Sequence, residues 1–433
     1  MKFVIHCLLI FILPFLSFQQ AQAVNSSLFE YYGSDHTEAQ FALSLYVIIE
    51  QKNPPTNAQV NPQITSQLRY MLGLMRSRTK EAAALYPKWT HVITEVKALS
   101  AGVYQVKYVL KTKGVFPTGK TRYTFTLPTN PKKIFSAAQG KCSEDVAVDS
   151  NFWYHWEPLQ AGCPLKENTD YFTIDTELKI IQNTTETYPE YAKLKDSAKL
   201  IKSTMFFGFE NYGHQTWTPD TGEDWGIKSF RQMRAFLLNQ GFTESVLTPQ
   251  QVALLYKAKD KFVPYISEFS FAGQVANIRT RLILLDSGFY HNSTAFHLLL
   301  QNALANESVV VYNGHSGIGH NLDLAAIEKL RAIKFILNPK YQILFLGSCI
   351  PYSYYTDMFF SRKKTAADPA GSLNLDILSF GKESVFGNVE DQALIKALTR
   401  YAASGEKLSY QVIIKSSPNY FFGVNGDEDN PKK

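Results

Sequence analysis

Long apolar runs are scarce in this chain of 433 residues. The one conspicuous run, residues 3–18, is shorter than the ~20 residues that span a bilayer comfortably, and no later stretch approaches that length. A soluble body without a transmembrane segment is therefore expected. Charge of one sign is also scarce: 44 Lys and Arg stand against 38 Asp and Glu, a formal balance of +6. No basic run of the kind that tracks phosphates accompanies that balance, so nucleic acid is not an expected partner. Internal repeats are lacking, as is any H-E-x-x-H pattern, and no metal or other cofactor is expected. Cysteine is limited to four residues.

Apolar and aromatic residues are plentiful, at 45% and 14% of the chain, enough for a large core, and the length suits two or three domains. At the N-terminus, Lys2 precedes the apolar run, which gives way to Gln19, Gln20 and the small-x-small triplet Ala21, Gln22, Ala23. A positive, then apolar, then small-residue order is what signal peptidase reads, so residues 1–23 are expected to be a cleaved signal peptide and the mature protein extracytoplasmic, periplasmic or secreted. Loss of Lys2 leaves 43 basic against 38 acidic residues.

Cys7 would leave with that signal. Of the three that remain, Cys142 and Cys163 are close enough in sequence to bridge in an oxidising compartment, closing a loop worth roughly 3 kcal/mol in the chain-entropy model. Cys349 is then the odd thiol, either buried and inert or reactive.

Periodicity divides the rest. Residues 24–165 read as an N-terminal α+β domain, mainly antiparallel β: a helix from Ile64 to Ala84, alternating strands at 90–99, 103–112 and 120–127, and an aromatic loop at 152–165 held by the Cys142–Cys163 bridge. Residues 166–200 read as a linker. Residues 201–420 alternate strand and helix, with buried strands at 308–312, 341–346 and 373–380, a hairpin across 262–286 and a further strand at 408–415. Continuous apolar strands separated by helices imply an α/β fold with a mostly parallel sheet covered on both faces. Residues 421–433 read as a polar C-terminal tail.

Functional groups of an open parallel sheet gather past the carboxyl ends of its strands. Two such strands end in reactive residues: one runs into Asn313, Gly314, His315, Ser316 and Gly317, the next into Gly347, Ser348 and Cys349. Were these strands neighbours, His315 and Cys349 would share an edge as general acid/base and nucleophile, the thiolate favoured by a nearby imidazole or by the N-terminus of the following helix. Backbone N–H groups of Gly317 and Cys349 would be the oxyanion donors, with Gly314 and Ser316 in the same loop. His214 and Asp286, each after a strand of this sheet, are further pocket candidates.

The segments Val-Val-Val-Tyr-Asn-Gly-His-Ser-Gly (309–317) and Ile-Leu-Phe-Leu-Gly-Ser-Cys (343–349) resemble the caspase-like clan of cysteine peptidases, with gingipain-like members closest. The resemblance covers about residues 200–415. It implies a caspase-like sheet, Cys349 as nucleophile, His315 as general acid/base and a protein or peptide as substrate. Two positions depart from the pattern: Ser316 stands where the clan usually has glycine, and Ser348 where alanine is common. Pro351 suits the first turn of the helix that follows.

Blander readings compete. Cys349 could be an inert core thiol and His315 a satisfied structural histidine, leaving an inactive extracytoplasmic binding or scaffold protein that kept the fold. His315 and His320 could be paired as metal ligands, but their spacing on a glycine-rich loop matches no metal pattern. The aromatic loop is more readily core packing around a disulfide than a stacking platform. Asn25, Asn183, Asn292 and Asn306 open N-x-Ser/Thr triplets, relevant only in a glycosylating host. No sequence feature bears on oligomeric state or cleavage specificity.

Overall fold

A computed structural model describes residues 32–430 except 34, 78–80, 139–140, 146–152, 182–185, 211–217, 257–262, 290–293, 383–388 and 418–420. The signal-peptide segment and His214 lie outside the described residues, as do Asn25, Asn183 and Asn292.

Strands β1 (Tyr32–Gly33) and β2 (His36–Glu50) are followed by helix α1 (Asn57–Ser77), β3 (Ala84–Leu85), β4 (Thr90–Ser100) and β5 (Val103–Pro117). Strict alternation along β2 buries Ala39, Phe41, Leu43, Leu45, Val47 and Ile49 on one face, the period-two pattern of a half-covered strand. It pairs antiparallel with β5 along its whole length. Helix α1 lays Ile64, Leu68, Met71 and Met75 against that face. Beyond it come β6 (Arg122–Pro128), α2 (Pro131–Ala138), β7 (Ser143–Asp145), β8 (Trp153–Trp156), β9 (Tyr171–Glu177) and β10 (Lys179–Ile180). Cys142 and Cys163 are bonded, with Cα atoms 5.4 Å apart. Beside them Trp156 is fully buried, donating its indole N–H to the Thr126 carbonyl at 2.7 Å and meeting Tyr70 edge-on. At Trp156, therefore, the aromatic loop is core.

The second half opens with β11 (Leu200–Phe209), α3 (Trp225–Asn239), β12 (Thr243–Val246), α4 (Pro249–Leu255) and the antiparallel pair β13 (Tyr265–Ala272) and β14 (Asn277–Asp286). It continues through α5 (Thr294–Asn306), β15 (Val309–Gly314), α6 (Leu324–Arg331), β16 (Gln342–Gly347), α7 (Pro351–Lys363), β17 (Leu375–Phe380), α8 (Val389–Ser404), α9 (Tyr410–Lys415) and β18 (Phe422–Asn425). Strands β14, β11, β15, β16 and β17 lie side by side in that order, all parallel. Every residue of β15, β16 and β17 is buried, as covering on both faces requires. One face packs under α3, α8 and α9 through Phe230, Leu398 and Ile413; the other packs under α5, α6 and α7 through Phe296, Ile327 and Phe359.

Three segments differ from expectation. Residues 166–200 are not a plain linker: β9 pairs with β6 and β10 with β2, because the alternation Tyr171, Thr173, Asp175 against Phe172, Ile174 supplies a strand face. Within 408–415 the chain forms helix α9 (Tyr410–Lys415), not a strand, with the Ser409 hydroxyl accepting from Val412 N–H; a run that short suits either state. Residues 421–430 are not a polar tail. Strand β18 is wholly buried between β17 and β1, while Asp427 and Asn430 are buried with hydrogen bonds to Thr187 and Asp376. The polar composition of that stretch hid the fact that its partners are equally buried. One sheet consequently runs without a break from β12 to β3 through both halves.

Candidate functional site

The edge where the parallel strands end is set by register. Phe209 pairs with Asp286, Gly208 with Gly314, and Asn313 with Gly347. The chain therefore delivers Glu210, Asp286, His315 and Cys349 to one edge. His315 and Cys349 each follow a registered pair by two residues, on strands a ladder spacing of about 4.8 Å apart.

His315 is held from several sides. Its carbonyl accepts from the Tyr312 hydroxyl at 2.6 Å and from Asn321 Nδ2 at 2.9 Å. Its Nε2 lies 3.3 Å from Asp224 Oδ2. Asp224 has a second task as N-cap of α3, where Oδ1 accepts from Gly226 N–H at 2.7 Å, the ordinary reason for aspartate at a helix start. One carboxylate thus joins a helix terminus to the imidazole. The Asp224 hydrogen bond raises the His315 pKa above the usual imidazole value; partial burial opposes it, and the Glu210 and Asp224 charges add to the rise. Two thirds of the side chain is covered, its exposure being 33%.

Cys349 is unpaired and partly buried. Burial pushes its thiol above the ordinary value, helped by the Glu210 charge and opposed by the Arg76 charge. This differs from the expected resting thiolate, because loss of water around the sulfur outweighs the favourable cation. The next residue, Ile350, has φ 54°, a left-handed conformation costly for a β-branched side chain. It is fixed by its N–H to the Lys382 carbonyl at 3.1 Å. Helix α7 then starts with Pro351 in its first turn and with no side-chain cap from Ile350.

The loop after His315 is equally shaped. Gly317 (φ 52°) and Ile318 (φ 56°) are left-handed, and a Cβ on Gly317 would meet Asn321 Oδ1 at 2.3 Å. The Ser316 carbonyl accepts from Gly319 N–H, Asn321 N–H and the Tyr355 hydroxyl, and Ser316 is buried, as is Gly314 at the strand end. Asp286 reaches the edge two strands from His315, but it is buried and accepts from Gly288 N–H at 2.9 Å. His320 packs beside Phe289 at 5.6 Å, while His315 turns to Asp224.

Four residues escaped sequence reasoning. Asp224 carried a signal, as an acidic residue before an apolar-periodic run, but only the fold brings it to His315. Glu210 and Asn321 are joined by a 2.9 Å hydrogen bond, and Asn321 also ties the His315 carbonyl to Phe289 N–H. Asp391, in the first turn of α8, accepts from Asn313 Nδ2 at 2.5 Å, and its pKa is pushed up to about 8, chiefly by burial and against that hydrogen bond. The same Asn313 side chain lies over Gly347, where a Cβ would meet its Oδ1 at 2.0 Å. Glycine is required there by close approach rather than by backbone angle.

Comparison of the chain with protein-family models gives no match, and comparison with curated proteins gives none.

Proposed function

We propose that this protein is an exported cysteine peptidase of caspase-like type, acting on protein or peptide substrates at the edge that carries His315 and Cys349. The observation that supports the reading is the pairing of β15 with β16, since His315, hydrogen-bonded to a carboxylate, and the free Cys349 each follow the registered pair Asn313 and Gly347 by two residues. The disulfide supports an oxidising, extracytoplasmic compartment, and no helix among the described residues is long and apolar enough to cross a membrane.

In this reading the Cys349 thiol passes its proton to His315 as sulfur attacks the peptide carbonyl carbon. Asp224 stabilises the imidazolium so formed. Backbone N–H groups of the 316–317 and 348–349 loops receive the oxyanion. Collapse breaks the C–N bond, with the His315 proton going to the leaving amine, and water hydrolyses the thioester by the reverse proton path. A thiol neutral at rest fits general-base activation at the moment of attack, with Nδ1 exchanging the proton while Nε2 faces Asp224.

A second reading, a binding or scaffold protein that kept the fold without turnover, is favoured by the raised thiol pKa and partial burial of Cys349. A peptidyl electrophile separates the two. Labelling of Cys349 in the wild type and its loss in His315→Ala supports the peptidase; equal labelling of both, or of neither, supports the binder.

A further inference from the structure

The two ends of the large sheet are finished differently. At one end β12 is only four residues long, and its Glu244 is held by Arg234 and by the Ser267 hydroxyl. At the other end, beside the short β3, strand β4 runs for 11 residues and pairs with β5 alone among the described residues. Residues 94–100 are all exposed. Val92, Val96 and Leu99 are 65%, 45% and 51% exposed, so this edge is partly apolar. A long strand with one side unpaired presents a row of N–H and C=O groups that a further strand can take up.

The charges on β4 select the strand that fits. Its pairing with β5 shifts register after Ile93 and again after Ala98, and is regular from Glu95 to Ala98. Glu95 and Lys97 therefore share one face. Glu95 meets Lys107 of β5 at 2.7 Å, while Lys97 makes no ion pair among the described residues. Let a second copy lie antiparallel with Val96 opposite Val96. Glu95 of each chain then faces Lys97 of the other, Thr94 faces Ala98 and Ile93 faces Leu99. A two-residue slip sets Glu95 against Glu95 or Lys97 against Lys97, parallel pairing in register does both, and a one-residue slip mismatches the faces. The edge thus complements a second copy of itself in one antiparallel register and opposes the neighbouring ones.

We propose that β4 is a homodimer edge, at which two copies of the chain pair antiparallel about Val96 and their sheets run on as one. The two-fold axis through the Val96 pair makes the contact isologous, so each Glu95–Lys97 pair occurs twice. Strands β17, β18, β1, β2 and β5 stand between β16 and β4. Pairing therefore leaves the His315 and Cys349 edge of each copy uncovered, and the inference does not depend on Cys349 being reactive. One added strand buries little area by the standard of stable dimers, so the association is weak and salt-sensitive.

Sedimentation equilibrium of the full chain, over a concentration series at low salt, tests the pairing. The chain should pass reversibly from monomer to dimer; a chain that stays monomeric up to about 1 mM overturns the proposal. Glu95→Lys and Lys97→Glu each set like charges opposite one another at both pairs and should weaken the dimer about tenfold or more. Mixed in equal amounts, the two variants should recover the association by pairing with each other, and the double exchange of Glu95→Lys with Lys97→Glu should dimerise by itself. A dimer that both single variants leave intact, or that mixing does not restore, has its interface elsewhere and overturns the β4 register. Should a variant fail to fold, zero-length carbodiimide coupling of the wild type decides. In a mixture of isotope-labelled and unlabelled chains, an amide between Glu95 of one kind and Lys97 of the other is expected. Coupling of Glu95 only to Lys107 of its own chain refutes the pairing.

Discussion

Asp224 Oδ2 lies 3.3 Å from His315 Nε2 while Asp224 Oδ1 caps helix α3. A substitution can separate these tasks. In Asp224→Asn the cap survives, because asparagine is as good an N-cap as aspartate, but the charge is gone. The His315 pKa should then drop toward its ordinary value, read by NMR titration of the imidazole or by the pH profile of Cys349 alkylation. The sign for stability follows from linkage. His315 has a raised pKa in the folded state, so its contribution is fully present below the unfolded value and is lost as pH rises through the folded one. Wild type should therefore gain stability over Asp224→Asn on acidification through the imidazole range; parallel pH–stability curves for the two would rule this out.

Asp391 should show itself in the opposite chemical sense but the same direction of pH. Its folded pKa of about 8 lies above the unfolded carboxylate value, so the folded state holds a proton the unfolded chain releases. Stability from this group is lost progressively as pH climbs from about 4 toward 8. Asp391→Asn keeps the shape and cannot ionise. Denaturant melts at pH 5 and pH 8 should show the variant gaining on wild type at the higher pH; a variant that loses ground there would contradict the buried-acid account.

The brace on α7 can be tested from the opposite half. Glu38, wholly buried on β2, accepts from the Tyr352 hydroxyl at 2.7 Å and pairs with Lys113 Nζ at 3.0 Å. Tyr352→Phe removes one hydrogen bond to a charged group, at a cost of about 1.5–3 kcal/mol. Lys113→Met leaves the carboxylate buried without its cation and should cost more, about 3–5 kcal/mol. Urea melts of the two variants give the order directly. Because α7 begins just after Cys349, the Cys349 alkylation rate should change in Tyr352→Phe as well; a rate unaltered within error would mean that the brace does not reach the thiol.

What was legible in the sequence was whatever burial wrote into it. The runs Val309–Gly314 and Gln342–Gly347 advertise covered strands because both faces are apolar, and their ends pointed to His315 and Cys349. Strand β2 escaped explicit notice although its alternation is as regular. The partners of the site were less legible, because Asp224, Glu210 and Asn321 act through distance in space rather than spacing in sequence. Arg76 is the extreme case: it sits on a helix whose spacing is legible, while its electrostatic bearing on Cys349 comes from how the halves meet. The terminal strand was hidden by composition, since the acids and amides after Val424 look solvated until their buried partners Thr187 and Asp376 are known.

Strand β18 lies between β17 and β1, so the last of the described strands joins the first of them to the parallel strands. As the chain emerges, β4 and β5 can pair early through their local hairpin, and the parallel strands can gather in order, but the sheet cannot close until residues 422–425 arrive. Contacts of such sequence separation are slow to form. A chain delivered in an extended state across a membrane would present its N-terminal half with an open edge for the longest time, and a chaperone that shields this edge would have its greatest effect on the rate of closure rather than on the final stability.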